Sequence, residues 1–391
     1  MTLHIKLQKI HLFTNNYNMS ERIPIVSFFS GGGFLDMGFI QSGFDVVYSN
    51  EFNKKFAKIH DDGIESWASF YNYPYCKITS TESLLHISPH TIIETAFGNN
   101  KPQLWGIIGG PPCQDFTMNG NGAGFDGERG KMTKLFFNRI RKMKPSFFVM
   151  ENVVGLMLRK EQRKILFDIL KTYILDDYYV DIRTLNALEF GVPQYRQRVF
   201  IVGFQKKQFP NLKTNNQNVY PEITTFCFEW PTPKYPNAWK KYDWPKQNPF
   251  GYTPIKPQNV PIELCVESCL LKIEGVANQN EYMLFSKKAH LREDICEGDT
   301  KRRSFKRLHR YRYSPTTCFG NNEIFLHPYL NRRITVREAL RIQGVDDNYI
   351  LEDGEKSAKF KVIGNGVPVP LAVSVAKQVY STCMANIKKK C

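Results

Sequence analysis

One cysteine is flanked by residue types that would present it to a ligand. Cys113 occurs in GGPPCQDFT, at the end of the strand-like run LWGIIGG. A solitary cysteine is more often an inert core residue, but the neighbouring prolines and glycines predict a rigid turn that presents the thiol. The polar, glycine-rich residues 114–130 are long enough to form a lid over a site. We therefore interpret Cys113 as a candidate nucleophile.

An acidic residue ends the next predicted strand. Glu151 follows the apolar run SFFVM, and the carboxyl ends of neighbouring parallel strands meet at one edge of a sheet. Glu151 and Cys113 would therefore lie close together, as a proton donor and a nucleophile. The alternative is that Glu151 only caps the segment that follows it.

Two arginines precede a later strand. Arg196 and Arg198, in QYRQR, are two residues apart in an extended segment, so their side chains should share one face. Two guanidinium groups at one site can bind a carbonyl, a carboxylate or a phosphate. The alternative is a pair of solvent-exposed arginines at the start of a strand.

A glycine-rich turn connects the first predicted strand to a helix, in FFSGGGFLDMGF. Glycines here would let a ligand approach the backbone, although the G-x-G-x-x-G spacing of dinucleotide sites is absent. Glu51 ends the second strand, 18 residues after Gly33 (51 − 33), close to where doubly wound folds bind ribose hydroxyls. These features predict a nucleoside-containing ligand without a pyrophosphate; a purely structural turn is the alternative.

These residues require a scaffold that brings strand ends together, and the hydrophobic pattern provides one. Short buried strands alternate with helices up to Phe204, which predicts an α/β fold with a doubly wound, mostly parallel sheet. The pattern is then lost until ITVREALRIQG, and VPLAVSVAKQVYSTCM forms a last helix. The predicted division is 1–18, an N-terminal extension or a mis-assigned start; 19–204, a catalytic and cofactor-binding domain; 205–344, a smaller irregular domain; and 345–391, a segment that returns to the first domain.

The chain is strongly basic. Among its 391 residues, Lys and Arg outnumber Asp and Glu by 53 to 37, a net charge of +16, which favours a nucleic acid partner over a merely basic protein. The nine cysteines are scattered, and Cys265 and Cys269 are the closest pair, so neither a disulfide framework nor a metal site is expected. Without a membrane-length apolar run or a signal pattern, we expect a soluble, cytoplasmic protein.

Positive charge is dense in KRRSFKRLHRYRY, residues 301–313. Seven Lys and Arg residues alternate there with Phe305, Tyr311 and Tyr313. Such a stretch is typical of phosphate contacts with some base stacking, whereas a solvated basic face is the alternative. The candidate DNA contacts in it are Arg302, Arg303, Lys306, Arg307 and Arg310.

Taken together, these motifs resemble those of the cytosine-5 DNA methyltransferases of bacterial restriction-modification type. FFSGGGFLDMGF is similar to the first cofactor motif, GGPPCQDFT to the nucleophile motif, MENVVGLM to the acid motif and QYRQRVFIVG to the arginine motif. RRITVREALRIQG and GNGVPVPLA are similar to the last two, and all six occur in the family's order across residues 24–377. The irregular basic region lies where the family has its target-recognition domain. The resemblance implies a Rossmann-like fold that transfers the methyl group of S-adenosylmethionine to carbon 5 of cytosine in a short duplex DNA site.

The resemblance also implies a role for each candidate residue. Cys113 would add to carbon 6 of a flipped-out cytosine, and Glu151 would hydrogen-bond or protonate ring nitrogen 3. Arg198 would contact the base oxygen at position 2, with Arg196 close by, and Gln114 would contact the DNA. The residues implied to bind S-adenosylmethionine are Phe29, Ser30, Gly31, Gly33, Glu51, Phe52, Ile78, Pro112, Asn365 and Val367.

Two positions depart from the family's pattern. Phe34 stands where the family usually has a glycine, and Lys77 occupies the place of an aspartate that contacts the adenine amino group. A lysine cannot accept that hydrogen bond. These departures predict weaker binding of the cofactor than is usual for the family.

Double-stranded DNA is the expected partner, and it would associate the protein with the nucleoid. We expect a monomer that forms no stable complex with a companion restriction endonuclease. Three alternatives stay open: an RNA cytosine-5 methyltransferase, a catalytically silent DNA-binding member, and a thiol-dependent oxidoreductase. The sizeable basic region favours DNA over RNA, and the intact Cys113 and Glu151 argue against a silent protein. The oxidoreductase would need a dinucleotide fingerprint and a second nearby cysteine, which the sequence lacks.

Overall fold

The structure is a computed structural model that describes residues 22–112, 130–212, 220, 223, 225–270, 292–317, 319, 323–351 and 354–388. Its main sheet has six strands in the order β2-β1-β3-β4-β6-β5. All of them run in one direction except β6, which is antiparallel to both of its neighbours. The strands are β1 (Ile23–Phe28), β2 (Phe44–Asn50), β3 (Gly106–Gly109), β4 (Phe147–Val153), β5 (Tyr178–Asn186) and β6 (Gln197–Gln205).

Helices cover both faces of this sheet. In the described part of the chain the α-helices are α1 (Phe34–Ile40), α2 (Lys54–Tyr71), α3 (Pro89–Phe97), α4 (Gly130–Met143), α5 (Gly155–Leu158), α6 (Lys160–Tyr173), α7 (Ala238–Lys241), α8 (Val336–Ile342), α9 (Lys356–Asn365) and α10 (Val369–Lys388). The predicted doubly wound, mostly parallel architecture is confirmed. The hydrophobic pattern alone did not reveal α2, α3, α6, α9 or β5.

Side chains of the strands alternate between two buried layers. In β4, Phe147 and Val149 join the layer formed with α1, α2 and α10, whereas Phe148 and Met150 join the layer formed with α3, α4 and α6. This alternation follows from the two-residue period of a strand. It explains why the strands appear as continuous apolar runs, since both of their faces are covered.

The last helix packs on the first. A side chain at Gly38 of α1 would collide with Ala372 of α10, so glycine allows the two helix backbones to approach closely. Ser42, just after α1, donates its hydroxyl to the carbonyl oxygen of Val373 at 3.4 Å. The C-terminal helix therefore belongs to the layer that supports the glycine turn.

Between β6 and α8 the described segments are mostly irregular. They contain α7, 3-10 turns at Ile262–Leu264 and Val266–Cys269, and a parallel pair formed by β7 (Lys306–Arg307) and β8 (Phe325–Leu326). The domain boundaries at residues 204 and 344 stay predictions. Within the described ranges, no helix combines the length and the apolar character needed to cross a membrane.

Candidate active site

The carboxyl ends of β3 and β4 lie side by side and bring the acid next to the nucleophile turn. A Cβ atom added to Gly110 would lie 3.2 Å from Oε2 of Glu151. Asn152 donates its side-chain amide to the carbonyl oxygen of Pro111 at 3.3 Å. The turn that begins at Gly110 is therefore held against the end of β4, as the sequence predicts from the parallel strands.

The nucleophile itself lies outside the described residues. Pro112 is the last described residue of the turn and is exposed. Cys113 follows it in the chain, and Gln114 and the predicted lid to residue 129 also lie outside the described part. The roles assigned to Cys113 and Gln114 stay predictions.

Glu151 forms a buried ion pair with Arg198. Nε of Arg198 lies 2.9 Å from Oε1 of Glu151, and the two side chains are 9% and 8% exposed. The reversed direction of β6 makes this contact, because it places the first residues of β6 beside the end of β4. Burial raises the pKa of Glu151, although the charges of Arg198 and Arg196 oppose the shift. A carboxyl group with a raised pKa can hold a proton for a substrate atom.

Arg196 lies close to this pair but binds elsewhere. Its fully buried guanidinium group donates to the carbonyl oxygens of Thr317 at 3.0 Å, Gly364 at 2.6 Å and Gly366 at 3.0 Å. The two guanidinium groups therefore do not face one ligand, contrary to the prediction from their two-residue spacing. The physical reason is that the partly buried carbonyl groups at the end of α9 need donors, and the buried Arg196 supplies them.

We expect Arg196→Met to lower the free energy of unfolding by about 3 kcal/mol, because it leaves several buried carbonyl groups without their donor. Urea unfolding measures this change. Arg303→Met, at an exposed position, is the matched control and should change stability by less than about 0.5 kcal/mol. An unchanged midpoint for Arg196→Met would contradict the assigned role.

The glycine turn lies at the neighbouring end of β1 and is open on one side. Gly31 and Gly33 have φ angles of +56° and +75°, and Phe29 has +54°, a region that favours glycine. A Cβ atom added to Gly31 would meet no atom within 4 Å. The turn thus leaves room for a ligand at the backbone of Gly31.

Glu51 is fixed beside this opening. One carboxylate oxygen accepts the Gly31 N–H at 3.1 Å and the other accepts the Asn53 N–H at 2.8 Å. Burial raises the pKa of Glu51, whereas the two backbone hydrogen bonds and the charge of His60 act in the opposite direction. A carboxylate held in this way suits hydrogen bonds to ligand hydroxyl groups.

Two large apolar side chains beside Glu51 are exposed. Phe52 is 69% and Ile78 is 78% exposed. The backbone N–H of Glu51 donates to the carbonyl oxygen of Ser80 at 3.0 Å. This hydrogen bond joins the segments that carry Phe52 and Ile78. Apolar side chains exposed together next to polar groups are typical of a ligand site. With the open side of Gly31, they fit an adenosine-containing ligand.

The remaining predicted cofactor residues surround the same turn. Ser30 Oγ lies 3.0 Å from Ser49 Oγ at the end of β2. Asn365 is exposed at the end of α9 and Val367 is buried just after it. A side chain at Gly366 would collide with the ring of Phe34, which places this segment against the start of α1.

The departure at Phe34 is accommodated inside the protein. Phe34 is 2% exposed and packs edge-to-face on Tyr349, with ring centroids 5.4 Å apart. Its ring therefore does not fill the open side of Gly31. Lys77 is exposed, and the weaker cofactor binding predicted from these two positions stays a prediction.

A buried polar network lies behind the glycine turn and was not predicted from the sequence. Asp36 and His60 are each 1% exposed and are joined by a 2.9 Å contact, and Asp61 and Thr79 extend the network. The sequence does contain one indication, because Asp36 lies within the otherwise apolar helix LDMGFI. It does not show which residue Asp36 contacts. The partner is 24 residues away along the chain.

In the basic segment, residues 301–313, two of the arginines predicted to contact DNA have their side chains directed into the protein. Arg307 is fully buried and donates to the carbonyl oxygens of Ile295 and His327 at 2.8 and 2.7 Å. Arg310 pairs with Glu297 at 2.8 Å. The prediction that these two arginines contact phosphate is corrected, because both guanidinium groups are used within the protein.

The other basic positions differ in exposure. Lys306 is largely buried and lies 3.3 Å from Glu323. Arg302 and Arg303 are exposed, and Arg302 lies 3.7 Å from Asp299 at the surface. These two arginines are accordingly the better candidates for contact with DNA.

Comparisons with known proteins identify relatives of this chain. The family profile of C-5 cytosine-specific DNA methylase matches residues 23–381. The type II methyltransferase M.NmeDI of Neisseria meningitidis serogroup C is 37% identical over 379 residues, which are 92% of this chain and 84% of that protein. M.FnuDI of Fusobacterium nucleatum is 29% identical over 381 residues, which are 94% of this chain and 97% of that protein.

A solved structure shares the fold. The Dnmt2 methyltransferase of S. pombe superposes with a TM-score of 0.57 at 15% identity, covering 93% of this chain and 99% of that one. The profile match spans both the glycine turn and the Glu151–Arg198 pair. The chain therefore belongs to the C-5 cytosine-specific DNA methylase family.

Proposed function

We propose that this methylase transfers a methyl group from S-adenosylmethionine to carbon 5 of a flipped-out cytosine through a covalent adduct with Cys113. The observation that carries the proposal is the buried Glu151–Arg198 pair beside the turn at Gly110. At this position Glu151 could protonate the ring of a cytosine while the thiolate of Cys113, the residue after Pro112, adds to that ring.

The cofactor would be held by the residues around the glycine turn. Glu51 suits the ribose hydroxyls, while Phe52 and Ile78 offer apolar surface to the adenine. Gly31 leaves the backbone accessible on its open side. When bound, S-adenosylmethionine supplies an electrophilic methyl group to the base.

Each step on the base uses a residue of this chain. The Cys113 thiolate forms a bond to carbon 6, and the electron pair of the 5,6 double bond moves into the ring while Glu151 gives a proton to nitrogen 3. Arg198 keeps Glu151 in place and can donate to the oxygen at position 2. After carbon 5 is methylated, it loses its proton to water, and the bond to sulfur breaks to restore the thiolate. Nitrogen 3 returns its proton to Glu151.

A cytosine within a duplex cannot reach this pair. Glu151 is 8% exposed at the end of an interior strand, so the base must leave the helix and enter the site. Flipping costs a few kcal/mol, which contacts to the protein must offset. We assign part of that offset to residues 114–130.

The substrate we propose is a short duplex site protected in a restriction-modification system. The relatives named above are type II methyltransferases, which supports a modification role. A companion endonuclease, without a stable complex, and action as a monomer are further parts of the proposal. Base-resolution sequencing of 5-methylcytosine in DNA from expressing cells tests the proposal. Marks at one short motif are expected. Marks confined to RNA, or none in either nucleic acid, would contradict it and favour the RNA-directed or the silent alternative.

The exposed arginines of the basic segment should contribute to the salt dependence of DNA binding. Replacing Arg302 and Arg303 together by Ala should reduce the slope of log K against log salt by about 2, since each phosphate contact contributes about 1. Titrations at several salt concentrations measure the slope. Replacing Lys164 and Lys171, exposed on α6, is the matched control. An equal slope in the arginine variant and the wild type would exclude these phosphate contacts.

A further inference from the structure

The network behind the glycine turn joins the two segments that would bind the cofactor. Nε2 of His60 lies 2.9 Å from Asp36 on α1, and Nδ1 lies 3.2 Å from Asp61. Asp36 in turn accepts the hydroxyl of Ser27 from β1 at 2.6 Å. A Cβ atom added to Gly33 would lie 2.8 Å from the His60 ring, so the imidazole supports the turn from behind.

On its other side the network fixes the segment that carries Ile78. Asp61 accepts the backbone N–H of Thr79 at 3.1 and 3.2 Å and its hydroxyl at 2.5 Å. Nδ1 of His60 lies 2.9 Å from the same hydroxyl oxygen. The side chain of Lys77 is exposed, so the described contacts that anchor this segment come from α2 and from the end of β2.

We propose that His60 and Asp61 are positioning residues for the cofactor, which hold the Thr79 segment and the glycine turn in one arrangement before the cofactor binds. The inference rests on the proposed function, since it assumes that Ile78, Glu51 and Gly31 line the cofactor site. It adds a second layer of residues that act on cofactor affinity without touching the cofactor.

The charge of His60 completes the argument. Both ring nitrogens face carboxylates, and a neutral imidazole can donate only one hydrogen bond. Burial lowers the pKa of His60, but the hydrogen bonds and charges of Asp36 and Asp61 outweigh it and raise the pKa to about 9. A raised histidine pKa contributes stability that is fully present below the unfolded value of 6.5 and is lost as the pH rises through about 9. The arrangement should therefore loosen in alkaline solution.

Other titratable groups face His60 or its carboxylates from the surrounding elements. Burial raises the pKa of the Cys76 thiol and, more strongly, that of the Tyr349 hydroxyl. Both shifts favour the neutral form of these groups. The charged groups that surround the imidazole are Asp36 of α1, Asp61 of α2 and Glu51 after β2.

Calorimetric titration of the full-length protein with S-adenosylhomocysteine tests the proposal. Asp61→Ala should weaken binding roughly tenfold, the loss expected from one charge-assisted hydrogen bond. Asp61→Asn keeps an oxygen that accepts the Thr79 N–H and should recover part of the affinity. Asp62→Ala, whose carboxylate pairs with Lys58 at the surface, is the matched control and should bind like the wild type.

Two further readouts separate positioning from a general loss of structure. Hydrogen exchange of the Thr79 amide should be faster in cofactor-free Asp61→Ala, while the exchange of β4 stays unchanged. The dissociation constant of the wild type should rise between pH 8 and pH 10, and that rise should be smaller in His60→Gln. In turnover, Asp61→Ala should raise KM for the cofactor and leave kcat unchanged.

The outcomes are distinguishable. Equal affinities of the wild type and Asp61→Ala overturn the positioning role and leave the proposed function intact. A wild type that does not bind S-adenosylhomocysteine overturns the cofactor assignment and the inference with it. Faster exchange of Thr79 together with a tenfold weaker affinity supports both.

Discussion

We expect Cys113→Ala to lower the rate of methyl transfer by a factor of roughly 10⁴ or more, because the proposed bond to carbon 6 is formed by this thiolate. Without that bond, carbon 5 of cytosine is too weak a nucleophile to accept a methyl group. DNA binding should persist, since the proposed phosphate contacts of Arg302 and Arg303 are unchanged in this variant. Methylation of a duplex oligonucleotide, followed as 5-methylcytosine at single-base resolution, measures the loss.

The exposed Cys227 provides the control for this experiment. Cys227→Ala should retain the wild-type rate, so that the loss is assigned to one thiol and not to cysteine replacement in general. DNA that carries 5-fluorocytosine gives a positive test, because fluorine at carbon 5 cannot leave as a proton and the adduct persists. A wild-type protein that forms this adduct, and a Cys113→Ala protein that does not, would identify the nucleophile. Appreciable methylation by the variant would contradict the mechanism.

We expect Glu151→Gln to lower kcat by roughly a thousandfold, within the range ascribed to a positioned proton donor. The amide retains the shape of the side chain and an oxygen for Arg198, but it has no proton to give to nitrogen 3. Because burial raises the pKa of Glu151, the proton-bearing form is populated to a higher pH than an ordinary glutamate allows. The wild-type rate should therefore fall as the pH rises through this raised pKa.

A pH–rate profile under saturating cofactor and DNA distinguishes this role from a structural one. The falling limb should disappear in Glu151→Gln, whereas the rising limb, which reports formation of the thiolate, should remain. Glu161→Gln, at an exposed position on α6, should reproduce the wild-type profile. A Glu151→Gln protein that keeps both limbs would show that the proton on nitrogen 3 comes from another source.

The sequence alone determined the architecture and the edge of the sheet at which the candidate residues meet. Continuous apolar runs separated by helical segments allow few arrangements other than a parallel sheet covered on both faces. Once the sheet is parallel, the residues that end β1, β2, β3 and β4 must meet at one edge. That is why Glu51 and Glu151 could be assigned to the same edge of the sheet from their positions in the chain. The family resemblance is confirmed by the profile match.

The direction of individual side chains was decided by the tertiary structure. Arg196 and Arg198 are only two residues apart in the chain. Arg196 donates to carbonyl groups at the end of α9, whereas Arg198 pairs with the carboxylate of Glu151. Arg307 and Arg310 likewise belong to a basic stretch that suits DNA, but they satisfy groups inside the protein. Local sequence shows how many hydrogen-bond donors a segment carries. The acceptors that bind these donors come from remote parts of the chain.

The same reason accounts for the network behind the glycine turn. Asp36, His60 and Thr79 lie on α1, on α2 and in the segment that precedes α3, and only the packing of these elements brings their side chains within hydrogen-bond distance. Strand and helix periods depend on neighbouring residues, so the sequence specifies them directly. A buried polar cluster depends on contacts between distant residues, because each polar group must find a partner once water is excluded. The sequence thus specifies the fold and the candidate reactive groups, because both depend on local pattern, and the tertiary structure decides which partners each polar side chain has.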